Sequence, residues 1–375
     1  MNSLIDLLLN RLKTKKGLCI FITITLVNSL TLTLKLNAFN PFDNTITGLD
    51  ANNIPIVINL KDIVSIKISV GKCENCRTFA YVANLVSSDV SVIDIATNTV
   101  VATIPVGAFP VGVTSTPDEK KVYVANSGSN TISIIDTDNN NVIATIPGGV
   151  SPFRIVFTPD GMRAYVTNTN AKSVSVIDTT TNTIIATIPV GNNPQGIAIT
   201  PDGTRVYVLS LTDNTASIIN TATNTVISTI PAGDSPGEIV IAPNGTRAYI
   251  TNYFSSAVSV IDTTTNIIIA VIPVAPRPRY GITITSDGTR VYVTAESANV
   301  ISVIDTTTNT VINTIPLGED GFAPDEIALT PDETLAYVSN LFGDNVSVAN
   351  LTTGSFITNI PVGSRPAGIT IVTKC

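Results

Sequence analysis

The stretch Gly196–Gly233, GIAITPDGTRVYVLSLTDNTASIINTATNTVISTIPAG, decides the fold, because close copies of it fill most of the chain. It contains four short apolar runs of strand length, namely Ile197–Thr200, Val206–Leu209, Ala216–Ile219 and Thr225–Ile230. A Pro-Asp-Gly turn, a polar loop and an Asn-Thr-Ala-Thr-Asn turn separate these runs. The unit therefore predicts four antiparallel strands joined by short connections.

The unit occurs seven times. Successive tyrosines of a Tyr-Val-Thr-Asn-like tetrapeptide are separated by 42, 42, 42, 42, 43 and 45 residues. They are Tyr81, Tyr123, Tyr165, Tyr207, Tyr249, Tyr292 and Tyr337. Seven four-stranded repeats of roughly 40 residues predict an all-β, seven-bladed β-propeller. A solenoid would need atypical repeats at both ends, and only the first copy is irregular.

The first copy, GKCENCRTFAYVAN (Gly71–Asn84), lacks the strand that precedes the tyrosine in every other copy. The chain ends on the missing piece, AGITIVTKC (Ala367–Cys375), which has no tyrosine motif after it. We therefore expect the C-terminal strand to complete the blade that begins near Tyr81. Closing the ring in this way removes two strand edges that would otherwise be open to aggregation, and it makes residues 72–375 one propeller domain.

Three cysteines lie at this junction. Alignment of the repeats brings Cys375 and Cys76 to the same hairpin turn, which predicts a disulfide between them, or between Cys73 and Cys375 if the turn is distorted. Two other interpretations of Cys73-x-x-Cys76 are less favourable. A zinc site needs four ligands, and a redox pair prefers a helix N-terminus, whereas this motif leads into a strand.

Residues 1–38 resemble a targeting segment. Arg11, Lys13, Lys15 and Lys16 precede an uncharged apolar stretch from 17 to 34. This pattern predicts a signal peptide or an uncleaved signal anchor, and hence an extracellular or cell-surface protein that contacts a membrane only if the segment is retained. Residues 39–71 are expected to form a linker or an extra strand.

Charge and composition exclude several classes of function. Without residues 1–38 the chain has 16 basic and 27 acidic residues, so nucleic acid is not an expected partner. The chain has no histidine, which excludes Ser-His-Asp catalysis and His-ligated zinc or haem. One aspartate per blade does not assemble a calcium site. We expect no metal, no cofactor and no enzymatic activity.

The Tyr-Val-Thr-Asn motif, the Pro-Asp-Gly turn and the tail VSVIDTTTNTIIATIPVG (Val174–Gly191) resemble the YVTN-type β-propeller repeat family over residues 72–375. The resemblance implies a propeller on the cell exterior, as in surface-layer and exported proteins. Copies ending in Leu-Ser or Thr-Ala, and the Gly354 turn, depart from the motif.

The loops after the second and fourth strands of each blade vary in length, whereas those after the first and third strands do not. Variation on one face of a fixed scaffold is typical of a binding surface. Aromatic and charged residues collect in these loops, and some take the place of glycine at the start of the innermost strand. The candidate binding residues are Arg154, Glu238, Tyr253, Phe254, Arg277, Arg279, Tyr280, Phe322, Glu326, Phe342 and Arg365.

These patterns predict an exported, non-catalytic propeller that binds a protein or a cell-surface glycan through the loops after the second and fourth strands. Two alternatives remain. One is a self-associating surface-layer or envelope module. The other is a histidine-independent enzyme, similar to a lactonase or lyase, that uses Glu238, Glu326 and Arg154.

Overall fold

The structure is a computed structural model. It describes the backbone of residues 18–26, 31–40, 45–49, 55–59 and 63–72, and backbone and side chains of residues 76–319 and 322–375. The chain divides into two units, Met1–Cys76 with Cys375, and Arg77–Lys374. Among the described residues, no helix is long and apolar enough to cross a membrane.

The first unit contains one antiparallel sheet in the order β4-β3-β2-β1-β5. Its strands are β1 (Leu18–Leu26), β2 (Thr31–Asn40), β3 (Thr45–Leu49), β4 (Pro55–Asn59) and β5 (Ile63–Lys72). Residues 1–17 and 27–30 of the expected signal segment lie outside the described residues. Its described residues lie in β1 and β2, and β3, β4 and β5 occupy much of residues 39–71, where the sequence predicts a linker or an extra strand. The signal and linker assignments stay predictions.

The second unit is a seven-bladed propeller, which confirms the predicted fold. Each blade is an antiparallel four-stranded sheet, and blade 1 combines strands from both ends of the chain. Blade 1 contains β33 (Pro366–Lys374), β6 (Arg77–Asn84), β7 (Asp89–Asp94) and β8 (Thr99–Pro105). Blade 2 contains β9 (Pro110–Ser115), β10 (Lys121–Asn126), β11 (Thr131–Asp136) and β12 (Asn141–Pro147). Blade 3 contains β13 (Pro152–Phe157), β14 (Arg163–Asn168), β15 (Ser173–Asp178) and β16 (Thr183–Pro189).

The remaining blades follow in chain order. Blade 4 contains β17 (Pro194–Ile199), β18 (Arg205–Ser210), β19 (Thr215–Asn220) and β20 (Thr225–Pro231). Blade 5 contains β21 (Pro236–Ile241), β22 (Arg247–Asn252), β23 (Ala257–Asp262) and β24 (Ile267–Pro273). Blade 6 contains β25 (Ile282–Ile284), β26 (Arg290–Ala295), β27 (Val300–Asp305) and β28 (Thr310–Pro316). Blade 7 contains β29 (Pro324–Leu329), β30 (Leu335–Asn340), β31 (Asn345–Asn350) and β32 (Ser355–Pro361).

The ring closes as expected. Strand β33 pairs with β6 in a register that runs from Pro366 opposite Asn84 to Lys374 opposite Arg77. A disulfide joins Cys76 to Cys375 beyond the last pair, with a Cα–Cα distance of 4.2 Å. The first of the two predicted pairings is thus confirmed, and Cys73 lies outside the described residues.

The hydrophobic core lies between blades rather than in one central mass. Among residues 76–319 and 322–375, seven clusters of buried side chains are present, and each draws residues from two neighbouring blades. The repeat tyrosines belong to these interfaces and are at most 4% exposed. In five blades the tyrosine hydroxyl donates to the Asn side chain of the turn after the third strand of the next blade, over 2.5–3.1 Å. The last of these bonds, from Tyr337 to Asn98, crosses the closure of the ring.

The turns after the third strands explain one departure from the repeat. The Asn that ends each of these turns has a left-handed backbone, as in Asn182 (φ 56°) and Asn224 (φ 54°). In blade 7 the equivalent residue is Gly354 (φ 68°). Glycine can replace asparagine here because these two residues adopt a left-handed backbone most readily. The aspartate that starts the turn accepts backbone N–H groups, as Asp178 does from Thr180 and Thr181 at 2.9 Å.

Candidate functional site

The loops after the second and fourth strands form one face of the propeller, which we call the long-loop face. Backbone hydrogen bonds tie the two kinds of loop together within a blade. Leu85 N–H donates to the Arg365 carbonyl, and Ser127 N–H to the Phe109 carbonyl, both at 2.9 Å. Phe109 (φ 51°) and Arg365 (φ 54°) have left-handed backbones just before the proline that opens the innermost strand. These backbone hydrogen bonds therefore hold in place the loops from which the side chains of this face project.

Arg154 is at the centre of the site. It is 6% exposed, and its Nε donates to Glu238 Oε2 at 2.8 Å while Nη1 lies 3.3 Å from Glu326 Oε2. These three residues belong to the innermost strands of blades 3, 5 and 7, which are not neighbours. Such side chains can meet only across the central channel, so a buried ion-pair network spans the channel. Its members and their contacts, the channel cluster, are Phe153, Arg154, Gln195, Glu238, Arg279, Tyr280, Asp325 and Glu326.

Tyr280 enters the channel cluster because blade 6 has one extra residue. The carbonyls of Arg279 and Gln195 occupy equivalent places, since each accepts the hydroxyl of a tetrapeptide threonine, Thr251 and Thr167. Two residues separate Arg279 from Ile282, whereas one separates Gln195 from Ile197. The insertion shortens the innermost strand of blade 6 to Ile282–Ile284 and projects the tyrosine inward.

The inserted tyrosine makes three contacts across the channel. Its hydroxyl donates to Gln195 Oε1 at 3.0 Å, and its ring lies 5.3 Å from that of Phe153. The Arg154 guanidinium is 5.1 Å from the Tyr280 ring centre and 4.9 Å from that of Phe153. Aromatic faces attract a cation at such distances. The rings therefore fix the plane of the guanidinium, although its Nη2 is buried without a hydrogen-bond partner among the described residues.

Burial dominates the electrostatics of the channel cluster. It raises the pKa of Glu326 to about 8, although Arg154 opposes the shift, and Glu238 and Asp325 add to it. Burial likewise raises the pKa of Asp325 to about 6 and that of Glu238. Burial disfavours the Arg154 cation, but Glu326, Glu238 and Asp325 outweigh it and raise the pKa of Arg154.

The channel cluster contains three carboxyl groups, of Glu238, Asp325 and Glu326, and two guanidinium groups, of Arg154 and Arg279. A carboxyl group with a pKa near neutrality, held beside a guanidinium, can retain or release a proton under physiological conditions. The Glu326 side chain keeps 21% exposure, but its Oε2, the oxygen nearest Arg154, is buried without a hydrogen-bond partner among the described residues.

The rim of the long-loop face carries exposed aromatic rings. Phe109, Phe254, Phe322 and Phe342 are 52%, 72%, 62% and 57% exposed. Phe342 N–H donates to the Phe322 carbonyl at 3.2 Å, so these two rings belong to adjoining loops of blade 7. Arg365 lies 5.4 Å from the Phe342 ring centre, and Phe254 packs edge-on against Tyr253 at 5.2 Å.

The candidate residues thus fall into two groups. Arg154, Glu238, Glu326 and Tyr280 meet in the channel, and Arg279 joins them by stacking 4.7 Å from the Tyr280 ring centre. The rim group comprises Tyr253, Phe254, Arg277, Phe322, Phe342 and Arg365. Gln195 and Asp325 were missed as candidates, although both directly precede positions that align with Arg154 and Glu238.

Comparison with known proteins supports the fold. A family model described as a YNCE-like beta-propeller matches residues 72–173, which is less than half of the chain, so the closer likeness to the YVTN-type family stays a resemblance. No curated protein matches significantly. A functionally unknown protein from Desulfotomaculum acetoxidans is 21% identical with a TM-score of 0.70, covering 78% of this chain and 98% of its own.

Two other structures of this fold have titles that name enzymes. A putative 6-phosphogluconolactonase from Bacteroides uniformis is 16% identical with a TM-score of 0.65, covering 79% of this chain and 99% of its own. The dihydro-heme d1 dehydrogenase NirN, in complex with DHE, is 15% identical with a TM-score of 0.60, covering 78% of this chain and 74% of its own. At these identities the likeness shows the fold alone.

The expectation that the chain is not an enzyme is wrong. It rested on the missing histidine and on a fold taken to be a binding scaffold, but structures that share the fold include enzymes. Lack of histidine removes particular mechanisms, whereas the channel cluster contains carboxyl groups with raised pKa values beside a fixed guanidinium. The fold and the composition therefore leave catalysis open.

Proposed function

We propose that this protein recognises another protein through the rim of the long-loop face. The exposed aromatic rings of that rim are the observation that carries the proposal. They come from loops beside blades 2, 5 and 7, so a small molecule would not reach all of them. Aromatic residues and arginine are enriched among the residues that dominate protein interfaces, and Arg365 beside Phe342 and Arg277 beside Tyr253 supply such pairs.

The experiment compares affinity capture from the native cell surface by the wild-type chain and by the variant Phe254→Ala/Phe322→Ala/Phe342→Ala. A matched control, Val101→Ala/Ile143→Ala/Ile185→Ala, removes apolar side chains of about 50% exposure from the outer strands. We expect the rim variant to lose the captured protein while the control retains it, with unchanged thermal midpoints. Capture of the same protein by the rim variant at the wild-type level would refute the proposal. Capture of a glycan without any protein would also refute it, and would indicate that the partner is a carbohydrate.

We also propose that the protein acts outside the cytoplasm. The basic and apolar pattern of residues 1–38 supports this placement, as does the Cys76–Cys375 disulfide, since disulfides persist in oxidising compartments. Expression with and without residues 1–38 tests the proposal. The full chain should be accessible to protease on intact cells, and the shortened chain should stay protected. Equal protection of both would contradict export.

A further inference from the structure

The turn after the first strand of blade 5 departs from its counterparts. In blades 2, 3, 4, 6 and 7 this turn begins with a threonine, and an aspartate follows two residues later. The threonine hydroxyl donates to the aspartate over 2.5–2.7 Å and accepts the N–H of the residue that opens the second strand over 3.0–3.1 Å. The five pairs are Thr116 with Asp118, Thr158 with Asp160, Thr200 with Asp202, Thr285 with Asp287 and Thr330 with Asp332. In blade 5 the pair is Ala242 and Asn244, and alanine has no hydroxyl for either bond.

The two replacements give blade 5 a glycan acceptor. Asn244-Gly245-Thr246 has the Asn-x-Thr pattern to which N-linked glycans are attached. In blade 4 the same turn reads Asp202-Gly203-Thr204, and a carboxylate has no amide nitrogen that a sugar could join. We propose that Asn244 carries an N-linked glycan. This inference rests on the proposed placement of the protein outside the cytoplasm, because the pattern is used in secreted proteins.

The local geometry leaves the Asn244 amide nitrogen available. Asn244 and Thr246 are both exposed. Asn244 Oδ1 accepts the backbone N–H of Thr246 at 3.0 Å and its hydroxyl at 2.9 Å. These bonds use the amide oxygen, whereas the glycan joins the nitrogen. Because Ala242 cannot bond to the Asn244 side chain as a threonine would, a glycosyltransferase can reach this side chain without breaking such a bond.

The chain has two other Asn-x-Ser/Thr patterns, at 345–347 and 350–352, and both asparagines have structural roles. Asn345 is 7% exposed, Ser347 is fully buried, and Asn345 Nδ2 donates to the Gly343 carbonyl at 2.8 Å. Asn350 is half-buried, and its Oδ1 accepts two backbone N–H groups of the turn at 2.9 Å. Asn220 does the same in blade 4, where no such pattern follows. The structure therefore singles out Asn244.

The attachment is a substitution at the first sugar of an activated donor, a glycan whose C1 is esterified to phosphate. Asn244 Nδ2 forms a bond to C1 while the bond between C1 and the phosphate oxygen breaks. The phosphate leaves with the electron pair of that bond, and Nδ2 gives up one proton to a base of the transferase. The glycan lies on the face opposite the long-loop face, because the turn follows the first strand of an antiparallel blade. It therefore leaves the aromatic rim free.

Peptide mapping by mass spectrometry of the full chain recovered from native cells tests the proposal. Trypsin cleaves after Arg205, Arg247 and Arg290, so Asn244 lies in a different peptide from the other two patterns. We expect the peptide 206–247 to carry the mass of a glycan, and fragmentation to locate it on Asn244. An exported chain with Asn244 unmodified would overturn this inference alone. A chain found only inside the cell would overturn the proposed export as well.

Three variants test whether the turn itself is the acceptor. Thr246→Ala removes the hydroxyl that the pattern requires, and Thr204→Ala makes the same change in the turn of blade 4. We expect Thr246→Ala to lose the glycan completely and Thr204→Ala to keep it. The double variant Thr200→Ala/Asp202→Asn gives blade 4 the turn sequence of blade 5, so it should add a second glycan in the peptide 173–205. A glycan that persists in Thr246→Ala, or a double variant without the second glycan, would overturn the proposal.

Discussion

Cys76 and Cys375 lie 299 residues apart in sequence, and a disulfide joins them at the end of the β6–β33 strand pair. The covalent bond and the strand pair close the same blade. The closed loop therefore contains the whole propeller, and the ring cannot open at this seam without reducing the disulfide.

Removing the disulfide should destabilise the protein. The chain-entropy model assigns about 6 kcal/mol to a loop of this length, as an upper value. We expect Cys76→Ser/Cys375→Ser to unfold at a markedly lower denaturant midpoint than the oxidised wild type. Reductant should lower the wild-type midpoint and leave that of the double variant unchanged. A wild-type midpoint insensitive to reductant would show that the strand pair alone holds the ring closed.

Arg154 should matter more for folding than an exposed arginine. Arg154→Leu leaves Glu238 and Glu326 facing each other without their cation, and removing one partner of a buried pair typically costs about 3–5 kcal/mol. The combined variant Arg154→Leu/Glu238→Gln/Glu326→Gln should recover most of that loss. Arg365→Leu, at the exposed rim, should change the free energy of unfolding by less than about 0.5 kcal/mol. Urea unfolding of these variants checks the order, and equal losses for Arg154→Leu and Arg365→Leu would contradict it.

The repeat made much of this structure predictable. Because each copy maps a sequence position onto a known place in a blade, Cys375 and Cys76 could be placed at one turn although they are far apart in sequence. The inward position of Tyr280 could not be predicted, because the loop before the innermost strand of blade 6 could accommodate its extra residue at any of several positions. Contacts such as Arg154 with Glu238 join non-neighbouring blades, and they depend on the ring geometry rather than on any spacing in the sequence.

Stability should fall as the pH rises from about 5 to about 9. Asp325 and Glu326 have pKa values raised from 3.8 and 4.5 to about 6 and about 8, so the folded state binds their protons more tightly than the unfolded state. Their stabilising contribution is complete below the unfolded pKa values and is lost as the pH rises through the folded ones. The turn aspartates, such as Asp178 and Asp262, accept backbone N–H bonds that lower their pKa values. Their contribution to the stability of the protein is therefore lost only at acidic pH.

Thermal unfolding as a function of pH tests this assignment. The midpoint of the wild type should decrease by several degrees across the neutral range, and Glu326→Gln should flatten that decrease because glutamine does not titrate. Asp234→Asn, which alters an exposed carboxylate on the same face, should follow the wild-type curve. A wild-type curve that is flat or rising between pH 5 and 9 would mean that the buried carboxyl groups do not retain their protons.

The tyrosine hydroxyls should contribute to stability only where they donate to an asparagine of the next blade, as in the five blades named above. Tyr165 donates to Asn224 at 2.8 Å, so Tyr165→Phe removes one hydrogen bond while the ring stays packed, at a cost of about 1 kcal/mol. Tyr292 provides the matched control, because the equivalent turn residue in blade 7 is Gly354 and has no side chain to accept a bond. Tyr292→Phe should therefore change the urea midpoint by much less than Tyr165→Phe. Equal effects of the two substitutions would show that ring packing, and not the hydroxyl bond, explains why every blade has a tyrosine at this position.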